Sequence, residues 1–180
     1  MTGSDALLGT VVRTDGPGRH RVLLSGDTPP YGAFLRLDPD HVGVVVGLTA
    51  LDTLGGRYDA SFEQVPGLRG VFDLDVGERV RLAEVVVVGS LHPDGPVHGR
   101  PATPADLGAT ARPLPDDEVR RFHTLDGAPR MAYHALLSSH GVEPTVMDAV
   151  LARVREAVPE AAAYVDLLRR EAALRAWRRP

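Results

Sequence analysis

Three residues in one short segment have side chains that could hold a divalent metal ion: His92, Asp94 and His98. Imidazole and carboxylate groups are common ligands of zinc and related metals. The segment is rich in proline and glycine, so no helix or strand is predicted there to fix the directions of the three side chains. Because a metal site needs oriented ligands and a second shell of hydrogen bonds, we expect a structural or solvent-exposed loop and no bound metal.

Two other groups of residues have types suited to catalysis but unsuitable spacing. Residues 138–140, Ser-Ser-His, are adjacent at the end of a predicted helix, where consecutive side chains do not face each other. No G-x-S-x-G motif is present. Asp38, Asp40 and His41 cluster at the start of a predicted strand, a position where acids typically cap a turn. The sequence therefore predicts no catalytic residue and favours a non-catalytic protein.

The composition excludes several classes of enzyme. The chain has 180 residues, no cysteine, and 20 basic residues that are all arginine. Without cysteine there is no thiol nucleophile, disulfide or thiolate metal site. Without lysine there is no Schiff base and no P-loop lysine to reach a nucleotide's phosphates. We therefore expect neither a Cys or Lys-Schiff-base enzyme nor a P-loop ATPase, and no cofactor.

Charge is unevenly distributed along the chain, whose formal net charge is -4. Residues 1–150 carry 13 arginines and 20 acids, whereas residues 151–180 carry seven arginines and four acids. An arginine-rich end can bind phosphates or an acidic partner. It can also be a solvated helix end, because cations are favoured there. Trp177 can instead pack the last helix onto the core of the protein. We assign a partner or nucleic-acid contact patch to Arg170, Arg175, Trp177, Arg178 and Arg179.

The location we expect is the cytoplasm, without contact to a membrane. The first residues contain no cationic stretch followed by an apolar run, as a signal peptide would. The longest apolar runs are far shorter than a membrane-spanning helix.

The first half of the chain has the pattern of short β-strands. Apolar segments rich in β-branched residues alternate with turns of glycine, proline and aspartate. Evenly spaced short strands that contain glycine favour a small closed or nearly closed barrel, because glycine relieves crowding where strands bend. We predict five or six strands, over residues 7–14, 20–25, 31–37, 41–51 and 79–91, with a further short one within residues 71–74.

The second half is predicted to be helical, after a segment that interrupts regular structure. Residues 92–115 contain six prolines, which should break helices and disturb strand pairing. Asp116 and Pro129 are predicted to begin the first two helices of residues 116–180, and Pro144 the third. The expected fold class is α+β, with a β-barrel over 1–91, a Pro/Gly-rich linker over 92–115 and a helical region over 116–180.

The β half resembles the HAS barrel, the small N-terminal barrel shared by HerA-type DNA translocases and the catalytic subunits of rotary ATP synthases. Four segments carry this resemblance, which covers about residues 7–90: LGTVVRT at 8–14, RVLL at 21–24, YGAFLRL at 31–37 and HVGVVVG at 41–47. The chain departs from the translocases because a helical region stands where their P-loop domain follows the barrel.

The resemblance implies a stand-alone barrel that acts as a non-catalytic adaptor or assembly module. In the family, the barrel helps ring subunits to associate and offers a docking face to partners such as a nuclease. The implied partner is a HerA-type ATPase or a nuclease in DNA processing, or a second copy of the chain. No catalytic residue is carried over, since the barrel has none.

Two alternatives remain open. The first is an OB-like module that binds nucleic acid directly. It would need the barrel arginines on one face: Arg13, Arg19, Arg21, Arg36, Arg79 and Arg81. The second is a metal-dependent or acid/base enzyme that uses the loop residues His92, Asp94 and His98.

Overall fold

The computed structural model describes residues 6–16, 18–52 and 79–177, and within these ranges six strands between residues 9 and 113 form a closed antiparallel barrel. The barrel has six strands, in the cyclic order β1-β2-β5-β4-β3-β7, and β6 extends the sheet beyond β5. These strands are β1 (Gly9–Thr14), β2 (Arg19–Leu24), β3 (Phe34–Leu37), β4 (His41–Asp52), β5 (Arg79–His92), β6 (Gly95–His98) and β7 (Thr110–Pro113). The predicted barrel is confirmed; the strand predicted within residues 71–74 lies outside the described residues.

Alternation along the strands separates an inner from an outer apolar face. On β5, Val85 and Val87 belong to the cluster that fills the barrel, whereas Val86 and Val88 belong to the cluster between barrel and helices. Successive side chains of a strand point to opposite faces of the sheet. Because both faces of β5 are covered here, residues 85–88 form an unbroken valine run with no exposed member.

Residues 92–115, where interrupted pairing was predicted, contribute two strands, and one of them completes the barrel. Ala111 on β7 lies opposite Gly9 of β1 and opposite Leu37 of β3. The prolines are compatible with this pairing because Pro113 is the last residue of β7 and Pro96 lies in β6, which pairs with β5 alone. The expectation of disturbed pairing was therefore wrong for these eight residues.

Helices follow the barrel, so the α+β class is confirmed. The bounds are α1 (Asp116–Phe122), β8 (Thr124–Leu125), β9 (Ala128–Pro129), α2 (His134–Ser139), α3 (Pro144–Ala157), a 3-10 turn (Pro159–Ala161) and α4 (Ala162–Trp177). Asp116 is the first residue of α1, and Pro115 takes the cap position in its place. Pro129 lies in the β8–β9 hairpin instead of starting a helix, because the turn Asp126-Gly127 has positive φ at both residues, the backbone that favours tight hairpins.

The helical layer packs on the outer face of the barrel. On α3, Met147, Val150, Leu151 and Val154 are buried in one cluster with strand residues such as Val44 and Val86. Gly32, before β3, lets the two layers meet closely, since a Cβ there would lie 2.7 Å from the amide nitrogen of Val150 on α3. None of the described helices has the length and hydropathy needed to span a membrane.

Candidate functional site

Ser90, His92 and Asp40 form a connected polar group at one end of the barrel. The hydroxyl oxygen of Ser90 lies 2.8 Å from Nε2 of His92. Nδ1 of His92 lies 3.3 Å from Oδ2 of Asp40. A hydroxyl, an imidazole and a carboxylate are thus arranged in series, each within reach of the next.

Two features of the sheet place these side chains together. Ser90 and His92 are two residues apart on β5, so both point to the same side of the sheet. Asp40 precedes β4, which pairs with β5 so that His41 lies opposite Ser90. The amide of Leu91 donates to the carbonyl oxygen of Asp40 at 2.9 Å, which holds the turn against β5.

The group is accessible from solvent. The side chain of His92 is 44% exposed and that of Asp40 is 40% exposed, and Ser90 is partly buried. The guanidinium of Arg121, an exposed residue of α1, donates to the carbonyl oxygen of His92 at 2.7 Å. A dissolved molecule can therefore reach the imidazole and the carboxylate, beside which Ser90 lies, while the backbone beneath them is held by the sheet.

The three residues considered as metal ligands are placed in different surroundings. His92 belongs to the group above, and Asp94 is exposed in the two-residue turn between β5 and β6. His98 on β6 donates from Nε2 to the carbonyl of Phe122 at 2.7 Å and accepts at Nδ1 from the amide of Ala132. Across residues 6–16, 18–52 and 79–177, no group of three or more metal-ligating side chains is placed to hold an ion.

Two further histidines lie inside the barrel near the same end. His20 is fully buried on β2 and contacts Thr14, while His41 donates to the carbonyl of Thr103. Nε2 of His20 and Nδ1 of His41 have no hydrogen-bond partner among the described residues. Burial lowers the pKa of His20 to about 4, and the neighbouring His41 adds to this effect while Asp15 opposes it. Both imidazoles are thus part of the core and not of the accessible group.

A third polar group is sealed between the barrel and the helices. His123, which follows α1, donates from Nδ1 to the carbonyl of Val119 and accepts at Nε2 from the hydroxyl of Tyr133. Burial is the main cause that lowers the pKa of His123 to about 4 and raises the pKa of Tyr133 well above its usual value. Since neither side chain is exposed, this pair is structural.

Most of the arginines proposed to line a nucleic-acid face are matched by carboxylates of the same chain. Arg13 and Arg21 both contact Asp15, Arg19 contacts Glu84 at 2.8 Å, and Arg36 contacts Glu118 at 3.1 Å. Arg81 donates to Thr28 and to the carbonyl of Gly26. The side chain of Arg79 lies outside the described part of the chain.

The predicted C-terminal contact patch is only partly described. Arg170 is exposed on α4. Arg175 and Trp177 lie on the same helix, but their side chains are outside the described part, and so are the whole residues Arg178 and Arg179. The patch as a whole therefore stays a prediction.

The connection from Ser90 to Asp40 was missed from the sequence. His92 was considered as a metal ligand or an acid/base residue together with Asp94 and His98, and Asp40 as a turn residue. The available signal was Ser90 near the end of a predicted strand, two residues before His92. If the strand continues to His92, a spacing of two puts both side chains on one face. The carboxylate carried no such signal, since Asp40 is fifty residues away and joins the group through strand pairing.

Comparison with known proteins assigns the chain to no family. No model of a protein family matches it, and no curated protein sequence matches it either. Inference about function therefore depends on the geometry of the residues themselves.

Proposed function

We propose that this protein is an adaptor or assembly module whose barrel docks on a HerA-type ATPase or a nuclease in DNA processing. The observation that supports the proposal is the closure of six antiparallel strands around an apolar interior, with β7 between β1 and β3. Such a barrel is a rigid body that can present to a partner the surface left uncovered by the helices, and the HAS barrel that the β half resembles acts in docking of this kind. Fold analogy alone does not establish a function, so the proposal needs a direct test.

Two observations favour protein docking over an OB-like nucleic-acid module. The OB-fold is a five-stranded and partly open barrel, whereas the barrel here has six strands and is closed. In addition, Arg13, Arg19 and Arg21 contact carboxylates of their own chain. Each arginine would have to exchange that carboxylate for a phosphate, which reduces the net gain from counterion release.

The docking surface we propose includes α4 and the residues after it. Arg170 offers an exposed cation there, and the arginines that follow it in the sequence have the same charge. The first 150 residues carry a net negative charge, whereas the C-terminal end carries a net positive charge. An acidic face of the partner would therefore be oriented toward the C-terminal end. Charge complementarity of this kind chiefly raises the association rate and sets the orientation of the complex.

The test is affinity capture from native lysate with the tagged full-length chain, with and without nuclease treatment. We expect recovery of an ATPase or a nuclease that survives the treatment, and reduced recovery with Arg170→Glu. Arg100→Glu is the matched control, because Arg100 is exposed in a loop outside α4. Recovery that requires nucleic acid would favour the OB-like alternative, and a monomer that captures no partner would contradict the adaptor.

A further inference from the structure

We propose that Ser90, His92 and Asp40 form a serine-type hydrolytic site for small esters with good leaving groups. Ser90 is the nucleophile, His92 the general base, and Asp40 the residue that positions the base. This inference does not depend on the docking proposal, since the site lies at the barrel end where β4 and β5 pair.

The geometry assigns the three roles. A carboxylate can only accept hydrogen bonds, so the proximity of Asp40 to Nδ1 of His92 favours the tautomer with the proton on Nδ1. Nε2 then carries the lone pair and faces the hydroxyl of Ser90 at 2.8 Å. A serine is activated when a general base lies beside its hydroxyl and a third group orients that base. Ser90, His92 and Asp40 have this arrangement.

The surroundings hold these groups in place while leaving them open. Ser90 forms the last pair of the β4–β5 ladder, opposite His41, and both Ser90 and His92 pair with β6. Strands position side chains more accurately than loops do. Leu91 between them is buried in the core between barrel and helices, which anchors the segment. The exposed fractions of His92 and Asp40 leave room for a small substrate to approach.

The reaction follows from these positions. The hydroxyl oxygen of Ser90 bonds to the ester carbonyl carbon while its proton moves to Nε2 of His92. The carbon–oxygen bond to the leaving group breaks, and the departing alkoxide or phenoxide takes the proton from Nε2 of His92, which leaves the imidazole neutral for the next step. Water then attacks the acyl-serine, its proton passes through His92 to the oxygen of Ser90, and a carboxylic acid leaves.

The substrate class follows from the hydrogen bond that the backbone amide next to Ser90 already makes. The amide of Leu91, next to the nucleophile, already donates to the carbonyl of Asp40 and is not available to an oxyanion. One oxyanion donor is worth about 10²–10³-fold in rate. Activated esters, whose leaving groups need little assistance, are therefore expected to react, whereas amides are not.

The test uses the full-length chain with a fluorophosphonate probe and with p-nitrophenyl acetate. We expect the probe to attach at Ser90, located by peptide mass spectrometry, and the ester to be hydrolysed. Ser90→Ala should abolish both. Ser138→Ala is the matched control, because Ser138 is an exposed serine whose hydroxyl donates to a helix carbonyl, and it should leave both unchanged.

Variants of the other two residues separate their roles. His92→Gln should lower the labelling rate by about 10²-fold or more, since it removes the base. Asp40→Asn should also lower it, and Asp40→Glu should recover part of the rate because it restores a carboxylate; a purely structural role would not give this rescue. Labelling of the unaltered chain no faster than that of Ser90→Ala, or a label on another residue, would overturn the proposal whatever the capture experiment shows.

Discussion

The hydroxyl oxygen of Tyr133 lies 2.5 Å from Nε2 of His123 in the layer that joins the barrel to the helices. His123 also donates to the carbonyl of Val119, so each polar atom of its ring has a partner. The contact ties the residue after α1 to the residue before α2. Both side chains are fully buried, so the pair stabilises the helical layer as long as every partner stays in place.

Tyr133→Phe is expected to destabilise the protein by about 1–3 kcal/mol. The substitution keeps the ring but removes the donor, so Nε2 of His123 stays buried without a partner. The change is measured as the shift in the denaturant midpoint of unfolding. Tyr31→Phe is the control, since Tyr31 is 49% exposed and its variant should stay within about 0.5 kcal/mol of the unaltered chain. Equal midpoints for the two variants would contradict the assigned role.

Mild acid is expected to lower the free energy of unfolding. In the folded protein the pKa of His20 and that of His123 are both about 4, against 6.5 for an unperturbed histidine. The unfolded chain therefore binds protons more readily, so stability is complete above about pH 6.5 and falls as the pH decreases toward 4. At about pH 5 each histidine should contribute a loss of roughly 2 kcal/mol.

Urea unfolding at about pH 7.5, 6 and 5 measures this dependence. His20→Gln removes one of these two buried histidines while keeping a polar side chain beside Thr14, so the slope of stability against pH should decrease. A free energy of unfolding that stays constant over this range would show that the two imidazoles are not held neutral by burial.

Two glycine substitutions separate backbone strain from a steric clash. Gly16 and Gly32 both have positive φ, but a Cβ at Gly16 would meet nothing within 4 Å, whereas one at Gly32 would collide with the backbone of α3. Gly16→Ala should cost about 1 kcal/mol, the strain of a left-handed alanine. Gly32→Ala should cost about 1–3 kcal/mol more, because the barrel and α3 must move apart. Equal unfolding midpoints would mean that α3 does not pack at this distance.

Truncation tests whether residues 92–115 are part of the barrel. A fragment of residues 1–91 lacks β7, so β1 and β3 lose the strand between them, and we expect no cooperative unfolding transition. A fragment of residues 1–115 contains all six barrel strands but leaves the outer valines of β4 and β5 uncovered, so it should fold more weakly than the full chain and associate. Thermal unfolding followed by near-UV circular dichroism distinguishes the two fragments. A cooperative transition in the shorter fragment would contradict the role of β7 and support the prediction that residues 92–115 are a linker.

Several elements could be predicted from the sequence because their signals are local. The strand predicted over residues 79–91 and the helix predicted to begin at Pro144 both have the expected structure. The β8–β9 hairpin was missed although its Asp126-Gly127 turn is a local signal too. Pro129 was expected to begin a helix, and this interpretation was preferred to a hairpin at the Asp126-Gly127 turn. The wrong prediction thus arose because two local signals pointed to different structures.

The remaining features depend on residues far apart in the chain. By itself the amino-acid sequence determined that strands precede helices and which faces are apolar, because periods of two and of 3.6 residues reflect the geometry of single elements. Only the tertiary structure decided that Ala111 closes the barrel opposite Gly9 and that Asp40 meets His92. Strand partners and register are set by the packing of the whole barrel, which no single segment specifies.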